Sequence, residues 1–512
     1  MPLRPVRVVS AKESAARDRA AIDAGVPSQV LMERAGAGAA DEISRRYKEL
    51  LRNGAVVFTG PGNNGGDGWE VAGCLAREGV KVTVIEAVAP KNPDAAARKN
   101  AAIDSVVVAD SPPADANVLI DALLGTGSEG EPRGRIADGI ATINRLHSQG
   151  ARVAALDLPS GLDATTGSHS TCVVADLSLS FGAVKRGMLL ARDSCGEIVV
   201  LDIGLDEIAN PRDEKLPILI DDDLVRPLIP PIRYDAHKGV RKHLAVVGGG
   251  PGMPGATVLA CRAALRSGIG LVRALVAPGN VSAILDAAPS ALISEWPTNR
   301  KQIHAEISEW ADAIVMGPGL GRSDDTRKLV EQILGDSEVP VLLDADALNV
   351  FEGDAKSLAA LLAGRPALIT PHVAEFARLA SVDVREVVAN RFDIGAQLAN
   401  TLSATVLLKG SPTVIFTPEG QRFVVARGTA ALGTGGSGDI LAGIAGTLLA
   451  QTSDSVAAAC CSAWIHGRAA ELCEYVRGTA LEDVLYALPR AWNEAASIPE
   501  PPVLASLPAV SR

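Results

Sequence analysis

Gly433-Thr-Gly-Gly-Ser-Gly-Asp439 runs straight into the apolar stretch Ile440-Leu-Ala-Gly-Ile-Ala-Gly446. Glycines at a strand-to-helix turn let backbone N–H groups converge on an anion, and the helix N-terminus adds partial positive charge. A carboxylate at that junction suits a base beside a phosphoryl group in flight. The same pattern also suits a plain acidic cap on a helix. Four more segments of the C-terminal half carry chemistry: Gly248-Gly-Gly-Pro-Gly-Met-Pro-Gly-Ala256, Gly317-Pro-Gly-Leu-Gly321, Asp344-Ala-Asp-Ala-Leu-Asn349 and Thr370-Pro-His-Val-Ala-Glu375. Lys409, before Gly410, can meet a nucleotide phosphate. Taken singly, His372 is also a turn histidine, Lys409 a solvated strand end and Asp344 a helix cap.

The N-terminal half has its own set. Gly60-Pro-Gly-Asn-Asn-Gly65 follows a strand and opens a helix, and Glu86 closes the next strand, as in a dinucleotide fingerprint. Asp67 in the first helical turn opposes a pyrophosphate there. The Asn oxygens beside carboxylates suit a hard cation better. Asp121 and Asp157 each end a strand, and Ser160 follows closely. In an open parallel sheet the carboxyl ends of the strands line one crevice, so Asn64, Asp121, Asp157 and Ser160 should converge.

Apolar runs alternate with helical patterns in both halves, which implies parallel sheets and an α/β class. Strands are expected over 55–59, 81–87, 118–121, 152–156 and 198–202, then 243–247, 270–275, 313–316, 339–343, 367–370, 405–409, 413–416 and 423–426. A hairpin is expected at Gly410-Ser-Pro412. Helices are expected over 324–334, 384–401, 440–449 and 455–475. The chain of 512 residues exceeds one ordinary core. The Pro-rich segment 211–232 reads as a linker between domains over 1–210 and 233–512. The two halves share no repeat. A net charge of −11 argues against a broad nucleic-acid footprint. Seven cysteines without a C-x-x-C pair argue against a zinc site or a secreted disulfide framework. The start Met-Pro-Leu-Arg-Pro-Val-Arg lacks a signal core, and the most apolar uncharged run, 440–453, is too short to span a bilayer. A cytoplasmic protein with no membrane partner and no nucleic-acid partner is expected.

The N-terminal motifs, from the run ending Leu31-Met-Glu-Arg-Ala-Gly36 through Gly60-Pro-Gly-Asn-Asn-Gly-Gly-Asp67, Asp121-Ala-Leu-Leu-Gly-Thr-Gly127, Asp157-Leu-Pro-Ser-Gly-Leu-Asp163 and Phe181-Gly-Ala-Val-Lys185, resemble the NAD(P)H-hydrate epimerases. The likeness spans roughly 8–205. Trp69 stands where that family is expected to hold Tyr or Phe. The resemblance implies a Rossmann-like domain that interconverts the R and S forms at C6 of hydrated nicotinamide nucleotides. It further implies that Asn63, Asn64, Gly65, Gly66, Asp67, Gly125, Thr126, Gly127 and Asp157 contact the hydrate. Asn64, Asp121 and Ser160 would hold potassium, and Asp157 is the candidate acid/base.

From His237-Lys-Gly239 to about Asn493 the chain resembles the ribokinase-like superfamily, and within it the ADP/ATP-dependent NAD(P)H-hydrate dehydratases. His372 stands where vitamin kinases often place Asn. Val373-Ala374 replaces the usual Pro-Gly. This resemblance implies that Ala256, Gly319, His372 and Asp439 contact the hydrate. It implies a nucleotide on Lys409, Gly410, Ser411, Pro412, Thr413, Gly435, Gly436, Ser437 and Gly438. ADP, or ATP, with magnesium would phosphorylate the S hydrate with Asp439 as base. Elimination of phosphate would then restore NAD(P)H. The expected partners are the hydrates and ADP, and a homo-oligomer is expected. The rivals are a ribokinase-like vitamin kinase with a non-catalytic Rossmann-like domain, an NAD-dependent oxidoreductase, and a binding scaffold.

Overall fold

In the computed structural model the described residues are 5–205, 213–493 and 499–510. They form two compact units, one of residues up to 218 together with 499–510, the other of residues 219–493.

The described strands of the first unit's main sheet run in the spatial order Val503–Leu507, Glu197–Leu201, Leu177–Phe181, Arg152–Leu156, Val118–Ala122, Ala55–Thr59, Val82–Glu86, Val107–Val108. All neighbours pair in parallel except Val503–Leu507, which runs antiparallel to Glu197–Leu201. Both faces are covered. Val57 and Ile120 join a core with helices Ser28–Tyr47 and Asn63–Arg77, while Val56, Phe58 and Leu119 join another with helix Arg135–Ser148. Burial on both faces explains why these strands read as continuous apolar runs rather than alternating ones. A separate short pair joins Val8–Val9 in parallel to Val184–Lys185.

The second unit's described strands run Ile218–Leu219, Arg422–Val425, Thr413–Phe416, Thr405–Leu408, Ala367–Ile369, Val341–Leu343, Ala313–Met316, His243–Val247, Leu271–Val276, Leu292–Glu295. From Thr405–Leu408 to Leu292–Glu295 the pairing is parallel, and the expected hairpin pairs Thr405–Leu408 antiparallel to Thr413–Phe416. Helix Ser437–Thr452 is buried from Ile440 to Ala450, so its apolar residues occupy every face.

Four expectations differ from the structure. Residues 503–507 were expected in the second domain; they complete the first unit's sheet, because an open edge at Glu197–Leu201 offers unpaired backbone groups. Part of the expected linker is ordered: Ile218–Leu219 edges the second sheet, and Asp222–Val225 is helical with an Asp221 cap. The helix expected over 384–401 is two, Val384–Ala389 and Gly395–Leu402. The break buries Arg391, whose Nη1 donates to the Pro412 carbonyl at 3.0 Å. The helix expected over 455–475 stops at Glu471, whose Oε1 accepts from the Gly428 N–H at 2.8 Å. Leu177–Phe181, Val107–Val108 and Leu292–Glu295 were not anticipated as strands.

Candidate active sites

In the first unit, loops leaving the carboxyl ends of parallel strands meet at a cavity of about 510 Å³. The loop at Gly60 passes with no room for side chains: a Cβ there would fall 1.8 Å from the Leu123 carbonyl oxygen, and one on Gly65 2.0 Å from that of Gly60. This close approach delivers the start of helix Asn63–Arg77 to the sheet edge. Asn64 Nδ2 donates to the Leu124 carbonyl at 2.8 Å, and its buried Oδ1 has no hydrogen-bond partner among the described residues. Ser160 Oγ lies 3.2 Å from the same carbonyl and accepts from the Leu124 N–H at 2.8 Å. Asp121, fully buried, accepts from Ser160 Oγ at 2.6 Å, from Ser160 N–H at 2.8 Å and from Leu123 N–H at 3.2 Å. Burial pushes its carboxyl up to about 6 despite those bonds. Asn64, Asp121 and Ser160 are thus gathered around Leu124. An orphaned amide oxygen, a carboxylate starved of solvation and a hydroxyl form an all-oxygen set that fits a hard cation. Among the described residues no cluster of three His, Cys, Asp or Glu side chains could hold a metal ion.

Asp157 follows strand Arg152–Leu156 with φ 65°, a left-handed conformation costly for a residue with a Cβ. Its carboxylate is fully engaged: Lys185 Nζ pairs with Oδ1, and Thr126 donates to Oδ2 through its hydroxyl and, at 3.1 Å, its N–H. Burial alone would raise its pKa, but the Lys185 charge and these hydrogen bonds outweigh it and hold the carboxyl below its ordinary value. Lys185, 1 % exposed, also reaches Ser180 Oγ at 3.1 Å and the Phe181 carbonyl at 3.2 Å. Burial, then the charges of Asp157 and Asp18, push buried Asp67 well above the carboxylate range. Asn63, Asn64, Asp67, Gly125, Thr126, Gly127 and Asp157 all line the cavity. Gly65 and Gly66 do not; they pack behind it, Gly66 so tightly that a Cβ would fall 2.6 Å from Met32 Sδ. Lys185, carried by the resemblance, also lines the cavity, and so does Asp18, which the sequence reading did not single out.

In the second unit the Gly-rich turn ends at Gly436, φ 99°, which caps helix Ser437–Thr452 and sets Asp439 in its first turn. Burial, then the negative charge of Asp344, push Asp439 up to about 7, with Lys409 opposing. Lys409 Nζ pairs with buried Asp344 at 2.7 Å and lies 3.7 Å from Glu375. A Cβ on Gly438 would sit 3.3 Å from Lys409 Nζ and 3.6 Å from Asp344 Oδ2, so the anion loop, the lysine and Asp344 share one spot. His372 caps helix Val373–Ala380: Nδ1 accepts from Ala374 N–H at 3.1 Å, and Glu375 Oε2 accepts from His372 N–H at 2.8 Å. Burial lowers the His372 pKa. Its alternative as a turn histidine thus takes the form of a helix cap, with Nε2 left 3.3 Å from Glu375 Oε1. Gly319 packs on Ala256: a Cβ added to the glycine would lie 3.1 Å from the alanine's. Gly410–Thr413 form the hairpin turn, where Thr413 Oγ1 donates to the Gly410 carbonyl at 3.1 Å. Gly435 is exposed, and Ser437 Oγ donates back to the Leu432 carbonyl at 2.7 Å. The reading missed Glu375, which the three-residue spacing from His372 betrays as a capping box. It also missed His466, a buried imidazole pushed down to about 4 by burial and by the charge of Lys409. No local pattern marks that one.

Each unit therefore holds an α/β site built from strand-end loops, one around an acid–lysine pair in a cavity, the other at a Gly-rich helix start. Residues 28–187 match the YjeF-related protein N-terminus family, and residues 244–490 match the NAD(P)H-hydrate dehydratase family. Over 501 residues the chain is 33% identical to the bifunctional NAD(P)H-hydrate repair enzyme Nnr of Moorella thermoacetica, covering 92% of this chain and 93% of that one. It is 33% identical to the Escherichia coli enzyme of the same description, with 92% and 90% covered. A Bacillus subtilis ADP/ATP-dependent NAD(P)H-hydrate dehydratase crystallised with ATP and Mg2+ is 30% identical with a TM-score of 0.47, over 53% of this chain and 96% of that one. The chain belongs to the family of bifunctional NAD(P)H-hydrate repair enzymes.

Proposed function

We propose that the first unit equilibrates the R and S hydrates of NADH and NADPH, and that the second returns the S hydrate to NAD(P)H at the expense of a nucleotide. Family membership along the whole chain supports both activities, and the vitamin-kinase alternative is not favoured. The observation that carries the dehydratase reading is Asp439, a carboxyl poised near neutrality in the first turn behind a Gly-rich anion loop. Asp439 takes the proton of the C6 hydroxyl as that oxygen attacks the terminal phosphorus of ADP or ATP, and the bridging P–O bond breaks to release AMP or ADP. The Gly435–Gly438 amides and Lys409 face the negative charge that develops. Phosphate then departs with the C6–O electron pair, and loss of a proton from the neighbouring ring carbon restores the double bond. A well-placed base contributes about 10²–10⁴-fold and one oxyanion donor about 10²–10³-fold. Magnesium enters with the nucleotide, whose phosphates supply its principal ligands.

In the first unit Asp157 and Lys185 face the hydrate, with Asn63, Asp67 and the Gly125–Gly127 loop around it. Potassium belongs on Asn64 Oδ1, Asp121 and Ser160, where it supplies the positive charge that buried Asp121 lacks. Purified protein incubated with separated R and S hydrates, ADP or ATP and magnesium tests the whole reading. Recovery of NADH absorbance with one phosphate released per turnover is expected, with the R hydrate consumed only through S. A stable phosphorylated product would instead identify a kinase. Potassium should also raise the melting temperature of wild type over sodium, and leave that of Asp121→Asn unmoved.

A further inference from the structure

The carboxylate assigned to proton transfer in the first unit is poorly placed to carry all of it alone. Both Asp157 oxygens are occupied, by Lys185 and by Thr126, and the ion pair keeps the carboxyl ionised and weakly basic. Changing the configuration at C6 needs one proton taken and another given. A second exchanging group must therefore face the cavity. Asp67 is the obvious candidate from the motif, but it is 8 % exposed and pushed well above the carboxylate range, so it suits hydrogen-bond donation better than proton cycling.

Asp18 lines the same cavity from helix Ala11–Asp23, an element that lies before the family match begins at residue 28. Its placement is over-determined. Val8–Val9 pairs in parallel with Val184–Lys185, which ties the start of that helix to the strand bearing the lysine. Glu13 closes a capping box with Ser10 and pairs with Arg186 at 3.1 Å. Arg17, 4 % exposed, donates to the Gly182 carbonyl at 2.8 Å and pairs with Asp213 at 2.9 Å. Three anchors within four residues of Lys185 thus fix one helix so that its next residue looks into the cavity. Asp18 meets Lys185, Asp157 and Arg17 through charge, and burial with the Asp157 charge raises its carboxyl above the ordinary range. It is only partly buried, so it can exchange its proton with solvent.

We propose that Asp18 is a further catalytic residue of the epimerase site, the acid and base that partners Asp157. This rests on the epimerase reading above. As the ring opens, Asp157 accepts the C6 hydroxyl proton, the C6–N1 bond breaks with its electron pair going to N1, and Asp18 protonates N1. Rotation presents the other face of the new C6 aldehyde. Closure reverses both transfers: Asp18 takes the N1 proton back, N1 bonds C6, and Asp157 returns the proton to oxygen. Atoms and protons balance, and no co-reactant is needed.

The test follows R-to-S conversion by chromatography on the full chain, with nucleotide-dependent dehydration of pure S hydrate as the internal measure of an intact second unit. Wild type and Asp157→Asn run alongside: a wild type without epimerase activity overturns the underlying reading rather than this one. Asp18→Asn should slow conversion about 10²-fold through kcat, with KM little changed, the usual scale for one acid–base group. Asp18→Glu should recover part of the rate, and added formate should accelerate Asp18→Ala but not wild type. Asp18→Asn within about twofold of wild type overturns the assignment. So does an Asp18→Ala loss that formate leaves untouched, because a structural role gives no dependence on a small acid.

Discussion

Both sites set an aspartate at the end of a parallel strand against a lysine, yet the outcome differs. In the first unit the lysine takes the candidate catalytic residue itself as its partner: Lys185 pairs with Asp157, and that carboxyl falls below its ordinary value. In the second unit Lys409 takes another acid, Asp344, at 2.7 Å. Asp439 is left with burial and the charge of Asp344 acting on it, and it rises to about 7. A lysine therefore does not by itself predict what a neighbouring carboxylate can do; which acid it pairs with decides. One arrangement suits a base that must be ready at neutral pH. The other suits a weak base, held ionised, that needs a second group to share the proton transfers.

Exchanging the acids for amides strains that comparison most. Asp439→Asn should lose about 10²–10⁴-fold in dehydration and keep R–S equilibration intact. Asp157→Asn should do the reverse, stalling on pure R hydrate. Loss of both activities in either variant, with circular dichroism unchanged, would show that the two sites are not independent.

Removing the first lysine comes next. Lys185→Met strips the partner from a buried carboxylate, and such a change costs about 3–5 kcal/mol. The first unit should unfold at markedly lower urea, while the second unit's transition stays put. A melting profile like that of wild type would mean the Asp157–Lys185 pair carries little.

Dehydration should depend on pH in the sense set by Asp439. Its base form is the deprotonated one, and it titrates near 7. The rate with saturating nucleotide should fall about tenfold per pH unit below that value and level off above it. Epimerisation should not follow the same curve, because Asp157 lies on the other side of its ordinary value. Coincident profiles would erase the distinction between the two pairs.

The smallest effect concerns the chain's end. Because Val503–Leu507 belongs to the first unit's sheet, a fragment of residues 219–497 should dehydrate S hydrate within about twofold of one running to 512. A fragment ending at 218 should recover solubility when a peptide of residues 499–510 is supplied. A second-unit fragment that needs residues 499–512 to fold would contradict this division.

Much of the molecule is written locally. The strands of both parallel sheets stand out as apolar runs because both faces are covered, and Asn64, Asp121, Asp157 and Ser160 could be brought together by one rule about strand ends. Asp439 is set by its own glycines, and its position needs nothing beyond the turn and the helix that follows. Other features depend on partners far along the chain. Leu177–Phe181 gives no turn signal on its N-terminal side, and Val503–Leu507 makes sense only once Glu197–Leu201 leaves an edge to cover. Arg391 splits a helical pattern because a carbonyl about twenty residues on requires it. Asp18 looks like any exposed-face acid of an amphipathic helix until Val8–Val9 joins the lysine strand. The sequence alone determined which residues carry chemistry and which strand ends hold them, since residue type and local backbone preference are properties of neighbours in the chain. Tertiary structure decided which acid each lysine neutralises, and hence which carboxyl keeps a usable proton, because desolvation and charge pairing depend on distance in space.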